Sequence, residues 1–202
     1  MNPNGTYEVS YLRGKRDYVR AIDALAVAPI TETDLTYRVR FHQLSKIPVH
    51  WQPVDPDGPE LPVLAELRIT GADGPKSWIL TPNPSATTFA VMPNITVTLA
   101  EPHLCEMEEF EIALLPEIPF WEQLVAAVKI WGSRKYPHLD WSVAGASGSV
   151  ECFGTITEEG KLRMSAGQQR MGLHHIAYDF AGLFDGKLMV ASFPKDDSDE
   201  GD

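Results

Sequence analysis

Phe120–Trp131 reads FWEQLVAAVKIW. Pro116 and Pro119 precede it and Gly132 follows. Proline at the first helical position and glycine just past the last one is the punctuation of a helix, so the spacing predicts a helix over 120–131. Its polar residues are Glu122, Gln123 and Lys129, and the seven-residue step from Glu122 to Lys129 puts both on one stripe. A surface helix carries an apolar stripe and a wide polar back. Here the proportions are reversed, which predicts a helix covered on most of its sides.

A second segment of the same kind lies upstream. Asp17–Ala28, DYVRAIDALAVA, reads as a helix with Asp17 at the N-cap and Pro29 ending the run. Its polar residues Arg20 and Asp23 again make one narrow stripe, while Tyr18, Ile22 and Leu25 fill an apolar face.

Strands surround both helices. Tyr7–Leu12 alternates and reads as a strand, followed by the turn Arg13-Gly14-Lys15-Arg16. Leu35–Leu44 sets Leu35, Tyr37, Val39 and Phe41 against Thr36, Arg38, Arg40 and His42, the pattern of a half-buried strand. A Pro- and Asp-rich loop spans Pro53–Pro62; Leu64–Thr70 and Ser77–Thr81 read as a hairpin, and Thr87–Met92 and Ile95–Leu99 as β-rich. Further on, Glu108–Leu115, Trp141–Ala144, Ser149–Thr157, Lys161–Ser165 and Leu188–Phe193 read as strands, with a hairpin turn at Glu158-Glu159-Gly160. Leu173–Phe184 fits either a helix, for which Ser165 and Gln168 would supply a capping box, or a strand. The strand reading is preferred: its neighbours are strands, Gly167, Gly172 and Gly182 weaken a helix, and Asp185-Gly186 reads as a two-residue hairpin turn into KLMVASF.

The order strand, helix, several strands thus occurs twice, with helix starts 103 residues apart. The expected class is α+β, with two strand–helix–antiparallel-sheet units, each sheet wrapped around one buried helix: residues 1–103, residues 104–194, and an acidic tail at 195–202. This pattern resembles the hot-dog fold, and two such units in one chain resemble a double hot-dog protein. The same order also suits an unrelated α+β domain with two core helices.

Bulk properties narrow the function. The 202 residues are 44% hydrophobic, enough for a real core. No apolar run approaches the ~18–20 residues of a membrane span, and MNPNGTYEVSYLRGKR has no apolar signal region. A cytoplasmic protein is expected, and Asn94-Ile95-Thr96 then carries no glycosylation signal. The net charge is -11, of which the tail KDDSDEGD carries -4. The balance argues against phosphate-backbone binding to nucleic acid. A solvated tail is the simpler reading and an acidic interaction tail the other. Cys105 and Cys152 stand alone, which fits neither a disulfide framework nor a zinc site.

The resemblance implies chemistry on acyl thioesters of coenzyme A or acyl carrier protein, with thioesterases and dehydratases the usual members. Dehydratases of the polyketide type carry His-x-x-x-Gly-x-x-x-x-Pro near the first helix; here that place reads YLRGKRDYV, and none of His42, His50, His103, His138, His174 and His175 begins the pattern. Thioesterases of this type often use a carboxylate near the central helix. By position, the resemblance implies Asp17 and Glu122 as catalytic candidates. Acids also favour a first helical turn for purely structural reasons, and the same N–H groups and helix dipole lower a carboxylate's pKa, which works against a general base.

Arg13, Lys15 and Arg16 form a basic knot before a helix start, where a phosphate or carboxylate of a cofactor could be held; a solvated turn is the plainer reading. His175 and Asp179 would be neighbours on a helix and could share a metal, but on a strand they sit about 13 Å apart, so no metal site is expected. Gly145-Ala146-Ser147-Gly148-Ser149 is not Gly-x-Ser-x-Gly and reads as a loop. Trp51, Trp78, Trp121, Trp131 and Trp141 are expected mostly in the core, with some lining an apolar pocket as the alternative. The expected function is therefore an acyl-thioester-binding or thioesterase-like protein, which needs no resident cofactor and is compatible with a homo-oligomer. The alternatives are a non-enzymatic interaction or assembly module and, more remotely, a metal-dependent hydrolase using His175 and Asp179.

Overall fold

The computed structural model describes residues 7–30, 35–57, 62–83, 85–86, 88–95, 97, 103–105, 109–116, 118–149, 160–167, 169, 172–180 and 184–194. In chain order the elements are β1 (Glu8–Val9), β2 (Tyr11–Arg13), α1 (Ala21–Ala26), β3 (Thr36–Phe41), β4 (Val49–Pro53), β5 (Ala65–Gly71), β6 (Gly74–Pro82) and β7 (Ala90–Met92). There follow β8 (His103–Cys105), β9 (Glu109–Ala113), α2 (Phe120–Lys135), β10 (Leu139–Ser149), β11 (Lys161–Ala166), β12 (Leu173–Phe180) and β13 (Phe184–Pro194).

Eleven of these strands form one antiparallel sheet in the order β1-β4-β6-β5-β3-β10-β13-β12-β11-β9-β8. A separate parallel pair, β2 with β7, lies beside it. The class is α+β, a large antiparallel sheet with few helices. The sheet is continuous: β3 and β10 pair through Gly145↔Arg40 to Ser149↔Thr36, so strands from the two ends of the chain meet there. Among the described strands the two sides of that seam differ in order. β6 lies between β4 and β5 on one side, whereas β11, β12 and β13 run as a simple meander on the other.

Alternation along the strands sorts residues to two faces. Tyr37, Val39, Leu67, Ile69, Ile176, Tyr178, Leu188 and Val190 are buried on the helix side, and the helices supply the facing layer. Trp51 marks that side, because its Nε1 donates to the Ala24 carbonyl of α1 at 2.9 Å. Four tryptophans (Trp51, Trp121, Trp131, Trp141) are buried and Trp78 is half-buried against Tyr7.

α2 buries Phe120, Trp121, Gln123, Leu124, Ala127, Val128, Trp131 and Gly132. Its first turn rests Phe120 on Tyr178 and Trp121 on Tyr37, with ring centroids 5.6 and 6.1 Å apart. Gln123 is buried inside the helix yet satisfied. Its Oε1 accepts from the Leu115 amide and its Nε2 donates to the carbonyls of Leu115 and Ile118. This side chain therefore ties down the turn between β9 and α2.

Several expectations are corrected. The first helix covers Ala21–Ala26, not 17–28, and Asp17 does not cap it; the N-cap position is Arg20. Gly132 lies inside α2, which runs on to Lys135, rather than after it; the Trp141 ring packs over this position, and a side chain there would collide with that ring. The run Gly145–Ser149 is not a loop but the middle of the sheet, and Trp141–Ala144 belongs to the same strand, β10. Asp185-Gly186 is not a turn, since both residues pair inside β13 with Asp179 and Tyr178. β4, between Leu44 and Pro53, and β8 form where the sequence pattern predicts no strand.

The preferred reading of Leu173–Phe184 as a strand holds for β12, Leu173–Phe180. Ile95 and Val97 carry no strand, and Leu99, most of Ser149–Thr157, Glu158, Glu159 and the tail 195–202 lie outside the described residues.

Glycines make the seam possible. Gly148 of β10 pairs with Tyr37 and Gly186, and Gly186 pairs with Tyr178. With no side chains on the two central positions, the flanking tyrosines lean together and their hydroxyls meet at 3.1 Å in the core. A methyl group on Gly186 would run into the Tyr178 hydroxyl.

Candidate functional site

The two thin polar stripes read on the helices face one another. Arg20, at the N-cap of α1, lays its guanidinium on Asp23 one turn on, with Nε–Oδ2 and Nη2–Oδ1 both at 2.7 Å. The same guanidinium reaches Glu122 in the first turn of α2, at 2.6 Å from Nη2 to Oε1 and 3.2 Å from Nη1 to Oε2. Arg13, from β2, adds Nε to Asp23 Oδ1 at 2.9 Å, and the Tyr11 hydroxyl lies 3.5 Å from the same oxygen. Two arginines and two acids thus neutralise one another where both helices begin. Acids suit these first turns because unpaired backbone N–H groups point there.

The cluster is largely out of water. Asp23 is 3% exposed, and the Arg20 and Glu122 side chains retain 13% and 11%. Burial disfavours the charge on Arg20, but the hydrogen bonds it donates to Asp23 and Glu122 outweigh it and hold its pKa above the ordinary arginine value. Burial, reinforced by the charge of Asp23, raises the Tyr11 hydroxyl. Desolvation and then the charge of Arg16 lower the Lys129 ammonium on α2.

Beside Arg20 a shallow crevice with a cavity volume of about 10 Å³, open to solvent, lies between α1 and the ends of β3, β4 and β6. Val19, Ala24, Phe41, Leu44, Val49 and Leu80 line it. It is more than tenfold smaller than the ~300–1,000 Å³ of ordinary ligand pockets, with room for about one water molecule. Gln43 and Ser45 interrupt its apolar walls, and Arg20, already paired with Asp23 and Glu122, closes one end.

The residues expected at a site divide. Glu122 is part of the cluster. Asp17 is exposed and pairs with Lys46 at 2.5 Å, in the loop before β4. Of the basic knot, Arg13 is spent on Asp23 and the Pro93 carbonyl, Arg16 donates to Asn94 at 3.0 Å, and Lys15 is exposed. Gly14 sits between them at φ +62°, a conformation suited to glycine, with Asn94 packed against it. His174 points inward, buried among Trp131, Tyr136 and Trp141, while His175 and Asp179 take the opposite face four positions apart. Among the described residues no group of three or more His, Cys, Asp or Glu side chains is placed to hold a metal.

Sequence reasoning missed Asp23, Arg20 and Tyr11 as members of a site. The signal for the first two was their spacing: an arginine and an acid at i and i+3 in an otherwise apolar helix must satisfy each other or something across the core.

The fold that carries this cluster is hot-dog-like. Among solved structures, the chain is similar to a tesB protein from Mycobacterium avium subspecies paratuberculosis, with TM-score 0.50 and 10% identity over 93% of this chain and 92% of that one. It is also similar to a proposed thioesterase II from Thermobifida fusca, with TM-score 0.46 and 10% identity over 91% and 89%. A hot-dog-fold protein of unknown function from Alicyclobacillus acidocaldarius follows, with TM-score 0.43 and 12% identity over 87% and 84%. At such identities the likeness is one of fold. No family model and no curated protein matches the chain. No helix among the described residues is long and apolar enough to cross a membrane.

Proposed function

We propose that this chain binds acyl thioesters of coenzyme A or an acyl carrier protein and processes them in a thioesterase-like reaction. The observation that carries this reading is the meeting of two helix starts at one buried charge cluster, beside a shallow crevice, in a hot-dog-like fold. Residues 1–103 and 104–194 would be two units, each wrapping its part of the sheet around its own helix, followed by the acidic tail 195–202. The crevice, with its cavity volume of about 10 Å³, would have to widen to take the start of the acyl chain, and Arg20 would then face the thioester carbonyl. Lys15 and Arg16 supply the free positive charge for a phosphate, while Arg13 holds the cluster together.

Glu122 is the carboxylate best placed to act, with Asp17 the second candidate. Arg20 already covers both oxygens of Glu122, so a ligand must draw the guanidinium away before that carboxylate can accept a proton from water. The water oxygen then attacks the carbonyl carbon, the C–S bond breaks, and the proton passes to the departing thiolate. A cytoplasmic location and self-association fit the same reading.

Calorimetry and thermal melting with acyl-CoAs of increasing chain length test it. Expected are binding heat, a raised melting temperature and thiol release that drops at least tenfold in Glu122→Gln. No heat and no protection at any chain length rejects the proposal. A second reading, a non-enzymatic interaction or assembly module, is favoured by the occupation of both candidate acids, Glu122 by Arg20 and Asp17 by Lys46. Binding without thiol release would select it.

A further inference from the structure

The sheet face opposite the helices carries an unexplained charge pattern. Arg38 on β3 lies directly across from Arg68 on β5. On its other side Arg38 is level with Ser147 of β10, and Ser147 is level with Lys187 of β13. Arg38, Arg68 and Lys187 therefore stand in one lateral row across four adjacent strands, about 14 Å at ~4.8 Å per strand. All three are exposed, and among the described residues none of them makes an ion pair. Arg40, two positions from Arg38, adds a fourth exposed cation and is opposed by Glu66, which also pairs with His42. Like charges directly opposite each other weaken a sheet. In a chain of net charge -11, three unpaired cations gathered on one face stand out against the composition.

We propose that this row is a docking face for an acidic protein segment, one presenting three or four carboxylates along about 14 Å. The inference does not depend on the thioester reading. Charge complementarity selects an acidic occupant. The surface is an open sheet face, which suits a protein segment better than a small anion; small ligands are held in concave sites. A nucleic-acid backbone suits it less, because phosphates beyond the row would run onto Glu66 on one side and Asp185 and Asp179 on the other, all exposed on this face. At 0.1 M salt the ~10 Å screening length lets the local cations act at contact while the net negative charge of the body is largely screened.

The test is fluorescence anisotropy of a labelled hexaglutamate peptide at 0.1 M salt, with hexathymidylate as comparison probe. The expected result is binding that weakens at least tenfold in Arg68→Glu. That variant replaces an opposed like-charge pair by Arg38 facing Glu, so its melting temperature should stay level or rise, which separates lost docking from lost folding. Arg134→Glu, on α2, makes the same change in net charge and should leave affinity within twofold. The proposal is overturned by absence of hexaglutamate binding, by equal weakening in both variants, or by tighter binding of hexathymidylate.

Discussion

Arg20 and Glu122 are 102 positions apart in the chain and 2.6 Å apart at their charged atoms. One side chain thereby joins the first turn of α2 to the start of α1, and it does so with little water nearby. Removing it leaves Asp23 and Glu122 without their main counter-charge. Arg20→Met should cost about 3–5 kcal/mol, the usual penalty for breaking a buried pair from one side. Urea unfolding measures it. The double variant Arg20→Met/Glu122→Gln should recover part of the loss; a cost no smaller than that of the single change would show that the penalty is not electrostatic.

Gly132→Ala reverses the ordinary preference. In an exposed helix interior, alanine stabilises relative to glycine by about 1 kcal/mol. Here the added methyl meets the Trp141 ring, which is itself packed against Trp131 at 5.6 Å between centroids. The variant is expected to melt lower than the parent by several degrees. A higher melting temperature would contradict the packing described for this helix.

The Tyr37–Tyr178 contact spans the seam between β3 and β12 over two glycine positions. Tyr37→Phe and Tyr178→Phe each leave one buried hydroxyl without this partner, at about 1–3 kcal/mol. In the double variant the costs should fall short of additive by about 1 kcal/mol, because both hydroxyls leave together. Full additivity in denaturant titrations would mean that the hydroxyls do not interact.

Much of this architecture could be read from spacing. The punctuation of Phe120–Trp131 located α2, and strict alternation in Leu35–Leu44 located β3, because local geometry imposes both patterns. The errors share a cause. Gly132, Gly145, Gly148 and Gly186 were read as breaks because glycine usually breaks structure locally. Each instead gives room to a residue of a neighbouring element: Trp141, Met189, the Asp185 carbonyl and Tyr178. Asp17 was expected at a helix start because its residue type suits a cap, yet the helix begins where Arg20 can reach Asp23. The Arg20–Glu122 pairing has no sequence signature at all, although the two narrow polar stripes announced that each helix needed a polar partner.

His174 gives a pH dependence with a definite sign. Burial, and then the nearby charge of Lys135, hold its pKa below the ordinary histidine value. An unfolded imidazole takes up its proton near pH 6.5. Below that pH the unfolded chain holds more protons than the folded one, so acid favours unfolding. The stability associated with neutral His174 is complete above about pH 6.5 and declines as pH falls towards the folded value. Melting curves between pH 5 and 7 should slope upward with pH in the parent and flatten in His174→Gln. An unchanged slope would assign the effect to other groups.

The pairing of β3 with β10 has a consequence for how the chain can be divided. Each of these strands is hydrogen-bonded on both sides, and severing the chain between β6 and β9 to produce the two ends separately would strip one partner from each. The fragments would then expose fresh rows of backbone amides and carbonyls along Thr36–Phe41 and Leu139–Ser149, the kind of bare margin that recruits other chains. Split expression of this protein should therefore give precipitate from either piece alone and soluble material only when both are made together.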